Sequence, residues 1–247
     1  MTKDQFAALH RADHPLVLFN VWDAGSAKAV ADAGATAIAT GSLSLAGAQG
    51  FDDGEAMPFD ALLRAVRQIV AAVDLPVTVD FETGYAQCLE DLSTNAAALR
   101  EAGALGCNFE DQVLGGQELR DAAEQAERIA IVAGAGLFVN ARTDMFLAPL
   151  MAGENPNRAE LVTGAIKRGA VYKDAGASSF FIPGLSDIDM IAQICAGVDL
   201  PVNVMRLPGM PSNAELGAIG VARISYGPAP WREAMGALGE AARELYR

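Results

Sequence analysis

The chain has 247 residues, 51% hydrophobic and 20% charged, with 18 Lys and Arg against 31 Asp and Glu for a formal net charge of −13. A chain of this length and apolarity can bury one large core. Its acidity excludes the basic footprint of a nucleic-acid binder, and an anionic ligand has to be met by locally placed cations or a metal.

In chain order, a strand is predicted over 16–23 and a helix over 26–32, then a strand over 37–42. A long connection rich in Gly and Asp follows over 44–58, of a length that often carries function. Beyond it helices at 59–73, 92–101, 119–133, 159–174, 188–196 and 214–218 alternate with strands at 77–82, 107–111, 138–142, 179–183, 202–205 and 222–226. A last helix is predicted over 231–245. Three helices run into Ala-Gly-Ala, at Gly34, Gly103 and Gly176, where glycine suits the left-handed position that ends a helix. Eight strands alternating with eight helices in about 250 residues is the count of a (β/α)8 TIM barrel. The rival, an open doubly wound sheet, usually shows Gly-x-Gly-x-x-Gly after its first strand. Here that turn reads Trp22-Asp23-Ala24-Gly25-Ser26. No linker divides the chain, so one barrel domain over 1–247 is expected.

The three cysteines, Cys88, Cys107 and Cys195, form neither a disulfide framework nor a Cys-x-x-Cys zinc pattern. The first residues lack the apolar core of a signal peptide, and no apolar run reaches the length of a membrane span. These features predict a cytoplasmic chain with no membrane partner.

A barrel carries its active site at the C-terminal ends of its strands. Polar residues two apart at those ends point to one side. They are Asp80 and Glu82, Asn108 and Glu110, Asn140 and Arg142, and Thr40 and Ser42. Asp80, Glu82 and Glu110 cannot all stay ionised in one place without a counter-charge. A divalent cation supplies it, and an all-oxygen ligand set favours Mg2+ or Mn2+ over zinc. The plainer alternative is that these acids form ion pairs with Arg142 or with loop cations.

At these residues the chain resembles the isocitrate lyase/phosphoenolpyruvate mutase superfamily. The motif Asp-x-[Asp/Glu]-Thr-Gly-Tyr stands here as Asp80-Phe81-Glu82-Thr83-Gly84-Tyr85, and the Glu-Asp pair as Glu110-Asp111. Ala-Arg-x-[Asp/Glu] stands as Ala141-Arg142-Thr143-Asp144, the small-residue segment as Thr40-Gly41-Ser42-Leu43, and Gly-x-x-Asp as Gly50-Phe51-Asp52-Asp53. The resemblance implies a Mg2+-dependent enzyme acting on a small anionic oxo- or hydroxy-acid. It implies that Asp80 binds the metal directly and that Glu82, Asp53 and Glu110 hold it directly or through waters. Gly41, Ser42 and Leu43 would bind substrate oxygens, with Thr40 beside them, and Arg142 would contact the substrate anion. It further implies a homo-oligomer, a tetramer or dimer, whose last helix is exchanged between subunits. Met235, Leu238, Ala242 and Leu245 form an apolar stripe on that helix, though its own barrel would cover it equally well.

The chain departs from the pattern after its fourth strand. The lyases carry Lys-[Lys/Arg]-Cys-Gly-His there, with the cysteine as general acid. Here the segment reads Gln112-Val113-Leu114-Gly115-Gly116-Gln117-Glu118, with no Cys, Lys or His, although Gly115-Gly116 can hinge a small lid. A thiol-dependent lyase is therefore not expected, whereas decarboxylation or hydrolytic cleavage of an oxaloacetate-like acid stays open. So do phosphonopyruvate chemistry and a non-catalytic dicarboxylate-binding barrel. Cys88 beyond Tyr85 lies near the mouth or simply begins a helix, and Cys107 belongs to the core. His10 and His14 read as surface or packing residues. Asn203, Arg206, Ser225 and Tyr226 are equally placed for substrate contact and for loop hydrogen bonding. Tyr85 either donates to substrate or packs under the lid.

Overall fold

The computed structural model describes residues 1–116 and 118–247. The chain opens with α1 (Lys3–Ala7), β1 (Leu16–Leu18), α2 (Ala24–Asp32), β2 (Ile38–Ala39), α3 (Ser42–Ala48) and α4 (Phe59–Ala72). It continues through β3 (Val77–Asp80), α5 (Leu89–Glu101), β4 (Gly106–Glu110), α6 (Ala122–Gly134), β5 (Phe138–Arg142), α7 (Leu147–Met151) and α8 (Ala159–Asp174). Then come β6 (Ser179–Phe181), α9 (Ile188–Gly197), β7 (Val202–Met205), α10 (Asn213–Ala218), β8 (Val221–Ser225) and α11 (Ala229–Leu245). All neighbouring strands are parallel, in the order β1-β8-β7-β6-β5-β4-β3-β2. Between β1 and β2 a single bridge joins Val21 to Thr40, with Val21 N donating to Ala39 O at 2.8 Å. The result is a nearly closed (β/α)8 barrel. Among the described residues no helix is long and apolar enough to cross a membrane.

Strand alternation sorts the residues. Val77, Val79, Cys107, Phe109, Val139 and Ala141 lie in the apolar layer shared with Leu62, Val66, Leu92, Leu99, Ile129 and Val132 of the surrounding helices. Their neighbours point into the barrel and are mostly polar. Arg223 Nη2 and Asn140 Nδ2 both donate to Asn108 Oδ1, at 3.0 and 2.8 Å, and Ser179 Oγ donates to Asn140 Oδ1 at 2.6 Å. Lower in the barrel Phe6 of α1 packs with Leu16, Leu18, Ala37, Ala39, Leu105 and Phe138. His10 stacks on Phe138 at 4.5 Å, and its Nδ1 lies 3.1 Å from Phe6 O. A carbonyl only accepts, so Nδ1 carries a proton. The N-terminal segment thus plugs one end of the barrel with apolar rings and leaves the other end to the acids.

Several expected boundaries shift. The first strand stops at Leu18 with one further bridge at Val21, and Asp23, expected to end it, caps α2 through a capping box with Ser26. The second ends before Ser42, which opens α3, so the presumed 44–58 loop is helical to Ala48. Leu119 pairs with Gln112 in a bridge instead of starting a helix, and α6 begins at Ala122 behind its cap Asp121. Neither α1 nor α7 is anticipated from periodicity, since five residues are too few to show it. Gly34, Gly103 and Gly176 do take left-handed φ values of 97°, 101° and 98°.

Burial and the Arg223 charge depress the His10 pKa from 6.5 to about 3. The unfolded chain therefore binds a proton that the native state refuses. That stability is present above pH 6.5 and is lost as pH falls toward 3, at up to about 1.4 kcal/mol per pH unit. His10→Phe, which keeps a ring on Phe138, is expected to flatten this part of the denaturant-measured stability–pH curve.

Candidate active site

Asp80 ends β3 facing into the barrel. Its N–H donates to Thr40 Oγ1 at 2.9 Å, and its Oδ2 accepts from Ser42 N at 3.1 Å. Its Oδ1 is buried with no hydrogen-bond partner. Burial raises the pKa of this carboxyl, against the pull of the Arg142 charge. Two residues on, Glu82 accepts from Tyr85 Oη at 2.8 Å and from Glu55 N at 2.9 Å, one bond to each oxygen. Burial first, then the neighbouring Asp80, pushes the Glu82 pKa up to about 8. Burial and Glu82 also push the Tyr85 phenol well above its ordinary range.

The turn that carries these groups is tightly specified. Gly84 has φ 95°, and a Cβ there would stand 2.4 Å from Leu92 Cδ1, so no other residue fits. Asn95 Nδ2 donates to Gly84 O and Tyr85 O at 3.0 and 2.9 Å. Buried Arg128 donates to Thr83 O and Ala86 O at 2.8 and 2.9 Å. Glu55, Glu82 and Tyr85 adopt φ values of 60°, 50° and 52°, a left-handed conformation that costs about 1–3 kcal/mol for each such residue.

Across the mouth Arg142 is clamped. Its Nη1 reaches Glu110 Oε2 at 2.7 Å, while Nε and Nη2 donate to the two oxygens of Asp144 at 2.5 and 2.8 Å. Burial opposes its charge, but Asp144 and Glu110 overcome that and raise its pKa. For Glu110 burial dominates and raises the pKa despite Arg142. Asp111, one residue on, points outward. It accepts from Asp144 N at 3.0 Å, Tyr172 Oη at 2.7 Å and Arg168 Nη1 at 3.2 Å. It anchors the 142–144 segment from behind and takes no part in the mouth.

Thr40 is fully buried and accepts the bond that ties Asp80 to β2. Gly41 caps α3, which begins with Ser42 and Leu43, half-buried beside Asp80. Asp53 lies exposed on the following loop, close enough for its charge to raise the pKa of both Asp80 and Glu82. Asn203 is buried inside the barrel and donates to Ser225 Oγ at 3.2 Å. Among the described residues no three Asp, Glu, His or Cys side chains converge on one point, because Glu82 and Glu110 are each drawn to their own partners. Cys88 caps α5 and is exposed, Cys107 is buried in the outer layer, and His14 is exposed. In the 112–118 segment Val113 N donates to Glu118 O at 2.9 Å, and Gln117 lies outside the described residues.

Sequence reasoning missed three groups. Glu55 is hidden in a loop without period. Asn20 donates to Thr40 O at 2.8 Å and accepts from Tyr226 N and Gly227 N at 3.0 and 2.9 Å, tying the seam of the barrel. Arg128 stands in an apolar helix stripe with Ile129 and Val132, and a charge in such a stripe is the signal that could have revealed it.

A family model described as phosphoenolpyruvate phosphomutase matches residues 6–246. The chain belongs to this family. Members of its superfamily are lyases and mutases, and this chain is one of its enzymes. A crystal structure from Burkholderia cenocepacia J2315, named as an inferred phosphonomutase, superposes with a TM-score of 0.90 at 46% identity. That match covers 98% of this chain and 99% of the other. The 2-methylisocitrate lyase of Escherichia coli K12 is 26% identical over 98% of this chain and 82% of its own. The oxaloacetate decarboxylase of Pseudomonas savastanoi pv. phaseolicola is 28% identical over 97% and 83%.

The geometry separates the paired acids by role. Asp111→Ala is expected to destabilise the fold by about 3–5 kcal/mol, since it strands the Arg168 charge. Glu110→Gln, at the mouth, should cost much less in the same urea titration.

Proposed function

We propose that this chain is a Mg2+-dependent enzyme that cleaves a C–C bond in a small α-oxo or α-hydroxy carboxylate of the oxaloacetate or methylisocitrate kind. The observation that carries this reading is Asp80 Oδ1, a carboxylate oxygen buried without a partner beside Glu82, Glu110 and Arg142. Burying such an oxygen is costly unless a cation completes it. The donor set is all oxygen, which suits Mg2+, with Mn2+ as a substitute. Asp80 would hold the ion directly. Glu82, Asp53 and Glu110, whose oxygens do not converge, would hold it through waters. Bound there, Mg2+ supplies Lewis-acid stabilisation of the negative charge that develops on the substrate's C2 oxygen.

The protein's own groups do the rest. Arg142 has five N–H groups, and three are engaged by Glu110 and Asp144. The clamp leaves one N–H each on Nη1 and Nη2 in fixed directions for a substrate carboxylate. In the Gly41-Ser42-Leu43 segment the Ser42 N–H is taken by Asp80 Oδ2, so the N–H groups of Gly41 and Leu43 bind its oxygens, with Thr40 and Asn203 supporting from below. Tyr85 Oη directs its proton at Glu82 Oε1. With its acidity suppressed, Tyr85 is a hydrogen-bond donor and not a base.

A cysteine acid has no place in this scheme. The Cys107 thiol is pushed up by burial, and that of Cys195 to about 12. Cys88 Sγ accepts the Asp91 N–H at the start of α5. Loss of CO2 from an oxo-acid needs no such thiol, and the likeness to an oxaloacetate decarboxylase supports that branch. The likeness to the Burkholderia protein supports P–C bond chemistry on a phosphonopyruvate-like acid as the second reading.

The last helix supports self-association. Beyond its first turn, where Trp231 lies on Gly47 of α3, α11 has no fully buried residue, and Met235, Leu238, Leu245 and Tyr246 are exposed. On the same barrel Val17 of β1 and Phe19 just beyond it are exposed and line a groove of about 640 Å³ together with Val30. We propose that subunits exchange this helix in a dimer or tetramer.

Screening oxaloacetate, methylisocitrate, isocitrate, dimethylmalate and phosphonopyruvate with Mg2+ or Mn2+ tests the reaction, with turnover of an oxaloacetate-like acid expected. Alkylating the thiols should leave that turnover intact. Asp80→Ala should abolish Mg2+-dependent binding of oxalate in calorimetry, and unchanged binding overturns the metal assignment.

A further inference from the structure

We infer that Glu55 is the positioning residue of this site, a latch that holds Asp53 and Glu82 where they serve the cation. The inference rests on the metal reading above and adds to it a group that touches neither metal nor substrate. Glu55 Oε1 accepts from Thr83 N at 2.9 Å, Thr83 Oγ1 at 2.7 Å and Tyr85 N at 3.0 Å. In return its own N–H donates to Glu82 Oε2 at 2.9 Å. Four hydrogen bonds thus join the loop after α3 to the turn after β3.

Backbone conformation marks the same residues. Glu55, Glu82 and Tyr85 are the non-glycine residues with positive φ among the described residues, and all three belong to this bond set. Such a conformation persists only where the surroundings over-determine it. Helical or strand propensity does not; the reciprocal bonds hold it from the loop side, as Asn95 and Arg128 do from the helix side.

The latch acts on two acids. For Glu82 it supplies the donor that pins Oε2, while Tyr85, itself held through its N–H by Glu55, pins Oε1. For Asp53 it supplies an anchor two residues along the loop. Among the described residues the Asp53 carboxylate makes no hydrogen bond, and it stands two residues before Glu55 across Gly54, whose φ is 82°. Releasing Glu55 therefore loosens both outer carboxylates and leaves Asp80 in place.

The test uses the full chain with Mn2+ alone, read by the electron paramagnetic resonance of free Mn2+, beside the thermal midpoint without metal. E55A is expected to weaken Mn2+ binding about ten- to hundred-fold, the range for removing groups that orient metal ligands. E55Q keeps an acceptor oxygen for the three donors and should recover most of the affinity. E55G removes the carboxylate but relaxes the left-handed turn. It should keep a thermal midpoint near that of the unaltered protein while binding Mn2+ as weakly as E55A. Unchanged Mn2+ affinity in E55A and E55G overturns the latch and leaves the metal reading standing. E55Q as weak as E55A, or loss of affinity that merely tracks the thermal midpoint, also overturns it. Failure of the unaltered chain to bind Mn2+ overturns the metal reading first.

Discussion

The structure is organised around carboxylates taken out of water. Asp80, Glu82 and Glu110 are all buried at the mouth of the barrel, where each pays a desolvation cost that raises its pKa. The protein meets that cost unevenly. Glu110 has an ion pair, Glu82 has two donors, and Asp80 has one donor and one oxygen with nothing. An arrangement that completes two acids and leaves the third open is suited to receiving a charge from outside. The clamp on Arg142 follows the same logic from the other side, because a cation already neutralised by two acids can orient an anion without competing for the open oxygen.

The outward side of the strands keeps this arrangement rigid. Asp111, Tyr172 and Arg168 fix the backbone behind Arg142, and Arg128 and Asn95 fix the backbone behind Glu82. Each is a buried or half-buried polar group between sheet and helix that bonds the backbone or its neighbours, so the mouth is held by side chains that never enter it. Inside, Asn108, Asn140, Ser179 and Arg223 form a polar layer below the acids, so the barrel's stability comes mainly from the apolar layer outside it.

Much of this is legible in the sequence. Period-two alternation places Asp80, Glu110 and Arg142 on the inner side because a strand turns each second residue the same way. Glu82 follows the end of its strand, yet its left-handed φ still brings it to the same mouth. The anticipated pairing of acids with Arg142 is also present, as the Glu110 contact, without satisfying Asp80. What stays hidden is long-range or short. Glu55 meets Thr83 and Tyr85 across a loop with no periodicity. Helix α3 has only seven residues, too short to show a period, and the Gly- and Asp-rich stretch that follows it hides it in an apparent loop. The inward Arg223 alternates correctly on its strand, but nothing local says that a charge belongs there.

The apolar plug at the foot of the barrel bears on how the chain comes together during synthesis. Phe6 and His10 are made well before the surfaces they seat on, Leu105 and Phe138. β1 likewise waits for β8. Contacts so distant along the chain close slowly, because loop entropy must be overcome before they contribute. The segment around Phe6 therefore stays unseated until Phe138 has been translated, and its aromatic rings are then open to chaperones and to neighbouring nascent chains.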